Sequence, residues 1–507
     1  MSNEKIESKV AIETRKTKRF VISNEVGLPI FFEPLEIQFI NKKNWDINKI
    51  RYDAIPLSFI FGNQTMLENI KDRIHSIHSS DLTMVTKMDP FNAMTFFVFS
   101  SQNDSVLFLN HQLVMLQKLL LFRFGEGFFI DLAQTPGFLG DEQKKKISEM
   151  IIPFQKLFES EFPFKLHCLE SIPNQNLTNS VQFELKSILF QLNFVIQAFV
   201  FSSRKIVGVF QSSDYSNVLI KTSDLIHLII YLESQFKSPQ NSNFSSDENA
   251  KKSKKKNNWD LISDSEKLTE ITTDILETLH FDLKQVTPIG VYSAKLTESL
   301  YFSLLVDMSE ITEQENNILF FRAISQQLKY QLRHYLNIFP VTELKMSSYY
   351  IKEFPGLVHF MLVNRTKNRI LKPKISKFSF QENQVKKILL TKNQIQQHFI
   401  HVIKEAQVHL FEGCLEFVKN HGDLFYSHSI WFENQNGEII PKIPKLEFNQ
   451  KKNLSLPEIY RKIMKNIPDE KNMVCYEIYS LYYGLSSTSM VAHLNSLLTK
   501  KLKSVFY

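Results

Sequence analysis

One order of elements, strand–strand–helix–strands–helix, recurs three times along this chain, and it restricts the fold more than composition does. The first copy opens on Arg19–Ser23 and Leu28–Phe32, two short apolar runs around a Gly-containing turn, which predict a hairpin. Leu67, Ile70, Ile74 and Ile77 follow at helical spacing, with His75-x-x-His78 at the end of that predicted helix. Leu82–Met88 and Met94–Ser100 read as strands separated at Pro90, and Ser105–Phe124 as an apolar helix stopped by Gly125. In the second copy, Phe194–Ser202 and Ile206–Phe210 predict a hairpin turning at Ser203–Lys205. A helix from the cap residues Ser223–Asp224 to about Phe236 comes next. Strands Ile289–Tyr292 and Leu300–Asp307 then precede a helix opened by the capping box Thr312-x-x-Glu315, with Ile318, Phe321, Leu328 and Leu332 on one side.

The third copy begins with strands Gly356–Asn364 and Arg369–Leu371 and a long predicted helix from about Leu390 to Lys419. Leu424–Glu433 and Glu438–Ile440 flank Asn436-Gly437, a strong hairpin signal. Val474–Tyr483 is an aromatic strand, and a last helix carries Val491, Leu494, Leu498 and Leu502. The expected fold class is therefore α/β, with three small antiparallel sheets each flanked by helices. The expected boundaries are a basic N-terminus at 1–18, a first domain at 19–125, a helical linker at 126–180, a second domain at 181–340 and a third at 341–507. A sheet edge left uncovered in such a unit is a place for a second chain to pair.

Composition narrows the function. The 13 glycines among 507 residues argue against propellers and against most nucleotide-cradling loops, whereas 44 phenylalanines supply bulky core positions. Of the net charge of +7, residues 1–19 carry +3 and the insertion at 238–258 carries +3, leaving +1 for the rest of the chain. The run Lys251, Lys252, Lys254, Lys255 and Lys256 has two readings: a solvated surface insertion, or a contact with anionic lipid head groups. No aromatic residues interleave it and the body has no basic excess, so nucleic acid is not an expected partner.

Three cysteines stand far apart without a CxxC pair, which favours a reduced compartment over a disulfide scaffold or a zinc ribbon. The charged N-terminus lacks the apolar centre of a signal peptide, and no run approaches the ~18 apolar residues of a membrane span. A soluble cytosolic protein is expected. No GxxxxGK[ST], GxSxG or HExxH motif occurs. His398-x-x-His401, with Glu405 and His409 nearby, offers imidazoles on one helix face, but a structural metal needs about four ligands and no matching set stands elsewhere. Cys414 near His409 has the outline of a nucleophile, yet Leu410, Phe411, Phe417 and Val418 predict a buried, inert thiol on an apolar helix face. No metal, no cofactor and no covalent catalysis are expected.

Several strings, in order, resemble the MON family of vacuolar fusion proteins, the Mon subunit of the Mon–Ccz complex. They are KRFVISNEVGLPI at Lys18–Ile30, RIHSIHSSDLTMV at Arg73–Val85, TSDLIHLIIYL at Thr222–Leu232, TPIGVYSAKL at Thr287–Leu296, FPGLVHFML at Phe354–Leu362 and YEIYSLYYGLSSTSMVAHLNSLL at Tyr476–Leu498. The resemblance implies three longin (roadblock-related) domains. It also implies a subunit of a heterodimeric guanine-nucleotide exchange factor that activates a late-endosomal GTPase of the Rab-seven class in endosome maturation and vacuole or lysosome fusion. The implied partners are a Ccz-type longin protein, that GTPase, an early-endosomal Rab as recruiter, and an anionic or phosphoinositide membrane surface on endosomes, vacuoles or lysosomes. By analogy the first domain contributes to the GTPase platform, through Phe59, Phe61, Leu67, Ile70, His75 and Met84. The ordinary reading of apolar residues at such spacing is core. The family commonly carries a long regulatory N-terminal region, and residues 1–18 do not predict one. Three-longin scaffolds, of the Fuzzy type or in lysosome-related-organelle complexes, share the domain plan and remain the alternative.

Overall fold

The computed structural model describes residues 18–24, 29–34, 76–78, 83–89, 94–100, 104–134, 140–172, 175–218, 220–236, 273–282, 289–311, 318–335, 353–382, 386–439, 456–465, 473–484 and 487–506. Among these residues the fold is α/β, with nine helices, three antiparallel-rich sheets and a separate two-stranded hairpin. The chain forms two compact units, Met1–Ile152 with Glu447–Ile459, and Pro153–Leu446 with Tyr460–Tyr507.

In the first unit, β1 (Lys18–Asn24) and β2 (Pro29–Pro34) form the expected hairpin. A meander of β3 (Ser76–His78), β4 (Thr83–Met88) and β5 (Met94–Ser100) completes a sheet of order β2-β1-β5-β4-β3. Val21, Met84 and Phe97 pack together on it, with Phe99 against them. Ile77 and His78 belong to β3, not to a helix, which corrects the reading from spacing. Ile77 is paired with Met84 across the ladder and is itself exposed, as an edge-strand residue often is. Leu67, Ile70, Ile74 and His75 lie outside the described residues. α1 (Val106–Gln134) packs on β4 and β5, and Gly125 at φ 75° breaks its helical geometry where a stop was expected. The helix resumes after this kink rather than ending.

The second unit opens in α2 (Asp141–Ser160), α3 (Phe162–Lys165), β6 (Leu169–Glu170) and α4 (Gln175–Leu189). Its first sheet contains β7 (Val195–Ser202), β8 (Lys205–Gln211), β9 (Asp274–Leu279), β10 (Ile289–Lys295) and β11 (Leu300–Asp307) in the order β8-β7-β11-β10-β9. α5 (Thr222–Phe236) follows the hairpin and α6 (Ile318–Leu332) follows the meander. Every residue of β7 and β11 is buried, so these central strands show no polar alternation. Leu177, Val181, Leu185 and Leu189 of α4 share one core with Phe321, Leu328 and Leu332 of α6 and with Ala198, Val200, Phe302 and Leu304 of the sheet. Gly208 allows that approach: a Cβ there would meet Val181 Cγ1 at 2.5 Å.

The other large sheet of this unit contains β12 (Leu357–Asn364), β13 (Arg369–Leu371), β16 (Glu416–His421), β17 (Leu424–Glu433) and β18 (Val474–Tyr483). Its order is β16-β17-β18-β12-β13-β6, the last a parallel two-residue strand from the preceding linker. A hairpin of β14 (Phe378–Glu382) and β15 (Lys386–Leu390) precedes α7 (Lys392–Phe411), while α8 (Leu456–Lys465) and α9 (Thr488–Phe506) come later. Val491, Leu494, Leu498 and Leu502 of α9 pack on Leu357, Phe360, Ile478 and Tyr482, the face expected from spacing.

Two readings of this region need correction. α7 ends at Phe411, not near Lys419, because Gly413 takes φ 85° and residues 416–421 turn into β16. Asn436-Gly437 makes a tight turn, with Gly437 at φ 79°, but closes only the bridge Glu433–Ile439; the extended hairpin is β16–β17, turning at Gly422. Numbered within each copy, and with the added β6 of the third sheet left out, all three large sheets place five strands in the order 2-1-5-4-3.

Candidate functional site

In the second unit a cleft of about 510 Å³ opens where the linker segment 160–170, the β7–β8 turn and the start of α7 converge. The linker is held there by backbone pairing: Leu169 N–H donates to Asn368 O at 2.9 Å and Ser171 N–H to Ile370 O at 2.8 Å. Pro163 in the first turn of α3 favours the helical start, since the missing N–H has no partner to lose there.

Charge lines this cleft. Glu170 of β6 pairs with Lys205 of β8 at 2.7 Å and with Lys372, just beyond β13, at 3.0 Å. Burial would raise the Glu170 carboxyl, but the two ammonium groups outweigh it and hold it below its ordinary range. The β7–β8 turn places Ser203 at φ 46° and Arg204 at φ 73°, the left-handed pair of a tight hairpin. Arg204 is fixed there by Glu161 at 2.7 Å and Glu233 at 3.0 Å. Thr391 caps α7 through a reciprocal box with Gln394, and Lys392 at the first helical position lines the cleft. Five basic side chains (Arg204, Lys205, Lys372, Lys374, Lys392) face three carboxylates (Glu161, Glu170, Glu298), which leaves an excess of positive charge. Such a lining can hold an anionic group. Its thiol is unsuited to nucleophilic attack, because burial pushes Cys168 up to about 11.

A buried polar network lies beside it. Arg365 meets Glu477, donates through Nη1 to Leu166 O at 2.7 Å and through Nη2 to the Tyr460 hydroxyl at 2.8 Å. Glu477 Oε1 also contacts His428 Nε2 and accepts from the Tyr460 hydroxyl, both at 2.6 Å. Burial works against ionisation of Glu477, and Arg365 with the His428 and Tyr460 bonds overcomes it, holding the carboxyl well down.

Among the platform residues expected from the resemblance, Met84 is 2 % exposed, beneath the packing of Val21 and Phe97. Phe59, Phe61, Leu67, Ile70 and His75, and the run Lys251, Lys252, Lys254, Lys255 and Lys256, lie outside the described residues. His78 Nδ1 is 3.3 Å from Thr83 Oγ1, and His398 Nδ1 is 2.8 Å from the Tyr426 hydroxyl. Burial lowers both His398 and His401. The buried thiol expected at Cys414 is a correction: it is exposed, because the helix that would have buried it has already ended. Sequence reading missed the basic cleft, whose cations come from segments about 170 residues apart; the one local signal is Arg204-Lys205 in a hairpin turn. A scan against models of known protein families finds none that matches the chain.

Proposed function

We propose that the chain is the Mon-like subunit of a heterodimeric exchange factor for a late-endosomal GTPase of the Rab-seven class. The observation that carries this reading is the 2-1-5-4-3 strand order common to all three sheets, with a helix after the last strand of each. Three such sheet-and-helix units agree with the three longin domains implied by the ordered family-like strings from Lys18 to Leu498. An exchange factor works by binding the nucleotide-free GTPase better than the loaded form, so a shaped surface that displaces switch segments suffices without acid, base or nucleophile. A Ccz-type partner completes the platform and an early-endosomal Rab recruits the complex.

No helix among the described residues is long and apolar enough to cross a membrane. The proposed location is accordingly peripheral, on endosome, vacuole or lysosome surfaces, with Lys251–Lys256 facing anionic lipid. The deciding experiment is release of a fluorescent guanine nucleotide from the GTPase, with this chain and a Ccz-type partner added separately and together. Acceleration only with both is the expected result. A stable complex of the two chains without acceleration would instead favour the three-longin scaffold.

A further inference from the structure

The C-terminus of α7 is closed by two bonds that wrap the chain back on its last turn. Gly413 N–H donates to Leu410 O at 3.0 Å, and Cys414 N–H to His409 O at 2.8 Å. This is the Schellman arrangement, in which the side chains at the two ends of the bond that closes the wider loop, here Cys414 to His409, come together, usually as an apolar contact. Here those positions hold an imidazole and a thiol, and Glu412 between them adds a carboxylate. One ligand atom from each of the three lies within 4.8 Å of the others.

The finer geometry separates two sides of the His409 ring. Nδ1 is 3.4 Å from Glu412 Oε2, close to the ~3.3 Å that separates two ligand atoms of a tetrahedral ion bound at about 2.0 Å. Nε2 faces the other way, 3.7 Å from Glu405 Oε2. Glu405 is itself held by Lys419 at 2.9 and 3.0 Å, and the ring rests against Phe417 with centroids 4.8 Å apart. The 3.7 Å spacing at Nε2 is longer than a hydrogen bond, so the Glu405 carboxylate meets Nε2–H only after a small side-chain movement; once closed, a carboxylate behind the imidazole fixes the tautomer of a metal-bound histidine. The negative end of the twenty-residue helix adds to the attraction for a cation.

We propose that His409, Glu412 and Cys414 form a binding site for a thiophilic divalent ion of the zinc class. His409 Nδ1, a Glu412 oxygen and the Cys414 sulfur are the ligands, Glu405 orients the imidazole, and the fourth position faces solvent. A mixed N, O and S donor set selects against magnesium and calcium, which take oxygen ligands. Binding releases the thiol proton, because the thiolate is the ligand.

The test titrates the reduced full-length protein with Zn²⁺ by equilibrium dialysis and with Co²⁺ by its thiolate charge-transfer absorption. One ion per chain is expected, with the absorption lost in Cys414→Ser and affinity lowered more than about tenfold in Glu405→Gln, and further in His409→Ala. His398→Ala, on the same helix, should bind as the parent does. Unaltered thermal unfolding of Cys414→Ser without metal separates loss of a ligand from loss of fold. Absence of stoichiometric binding, or a cobalt band that survives Cys414→Ser, would overturn the site. Undiminished affinity in Glu405→Gln would overturn the orienting role of that carboxylate.

Discussion

Arg365 and Glu477 form an ion pair whose side chains are 3 % and 0 % exposed. The pair joins the chain just past β12 to β18, and the same guanidinium reaches Leu166 O in the linker. The linker is thereby tied to the third sheet by a charge that water does not reach.

Removing one partner should be costly, because the other charge is left buried alone. Glu477→Gln or Arg365→Met is expected to lower unfolding free energy by about 3–5 kcal/mol in urea denaturation. Arg365→Met with Glu477→Gln should lose less than the sum of the two, since no uncompensated charge remains. Additive losses would show that the pair is not coupled.

His359 on β12 is fully buried, with ring contacts to Phe399 and Phe162 at centroid distances of 4.6 and 6.2 Å. Burial, with Lys372 adding to it, pulls its pKa down to about 3. An unfolded histidine takes its proton near pH 6.5, so the unfolded state binds more protons below that pH. This contribution is complete above about pH 6.5 and is lost as pH falls, at up to ~1.4 kcal/mol per pH unit. Urea denaturation between pH 6.5 and 4.5 should show a shallower slope for His359→Leu than for the parent; equal slopes would refute the assignment.

Gly208 and Val181 are in close register between β8 and α4. Gly208→Ala should cost about 1–3 kcal/mol through overpacking, and Val181→Ala in the same chain should recover part of that loss. Thermal unfolding of the single and double variants checks this. A double variant no better than the single would place the strain elsewhere.

Lys251→Glu with Lys255→Glu should weaken binding to anionic vesicles by about 30-fold or more at low salt, at ~1 kcal/mol per basic residue. Assembly with the proposed Ccz-type partner should be unaffected. Unchanged vesicle binding in a co-sedimentation assay would remove the proposed lipid contact.

Hydrophobic spacing made the element order legible, because strands such as Leu300–Asp307 and the α9 stripe Val491, Leu494, Leu498 and Leu502 carry their own local patterns. The reading failed where a local pattern was ambiguous. Leu410, Phe411, Phe417 and Val418 fit a helical face, and only the left-handed Gly413 shows that the helix has ended. Ile74 and Ile77 fit one face too, yet Ile77 is on an edge strand of three residues. The Arg365–Glu477–His428–Tyr460 network has no local signature at all: its members come from a turn, two strands and a helix, and only the fold brings them together.

The strand order has a kinetic consequence. In each of the three large sheets, β6 aside, the middle one of the five strands is the last to be synthesised, so each early hairpin must wait for its principal neighbour. The wait is longest between β13, ending at Leu371, and β18, starting at Val474. At the ~5–20 residues per second of a translating ribosome, β12 stands for roughly 5–20 s with one edge open, while β6 already shields the far side of the hairpin. Nascent chains stalled in that interval are where aggregation or chaperone capture should concentrate.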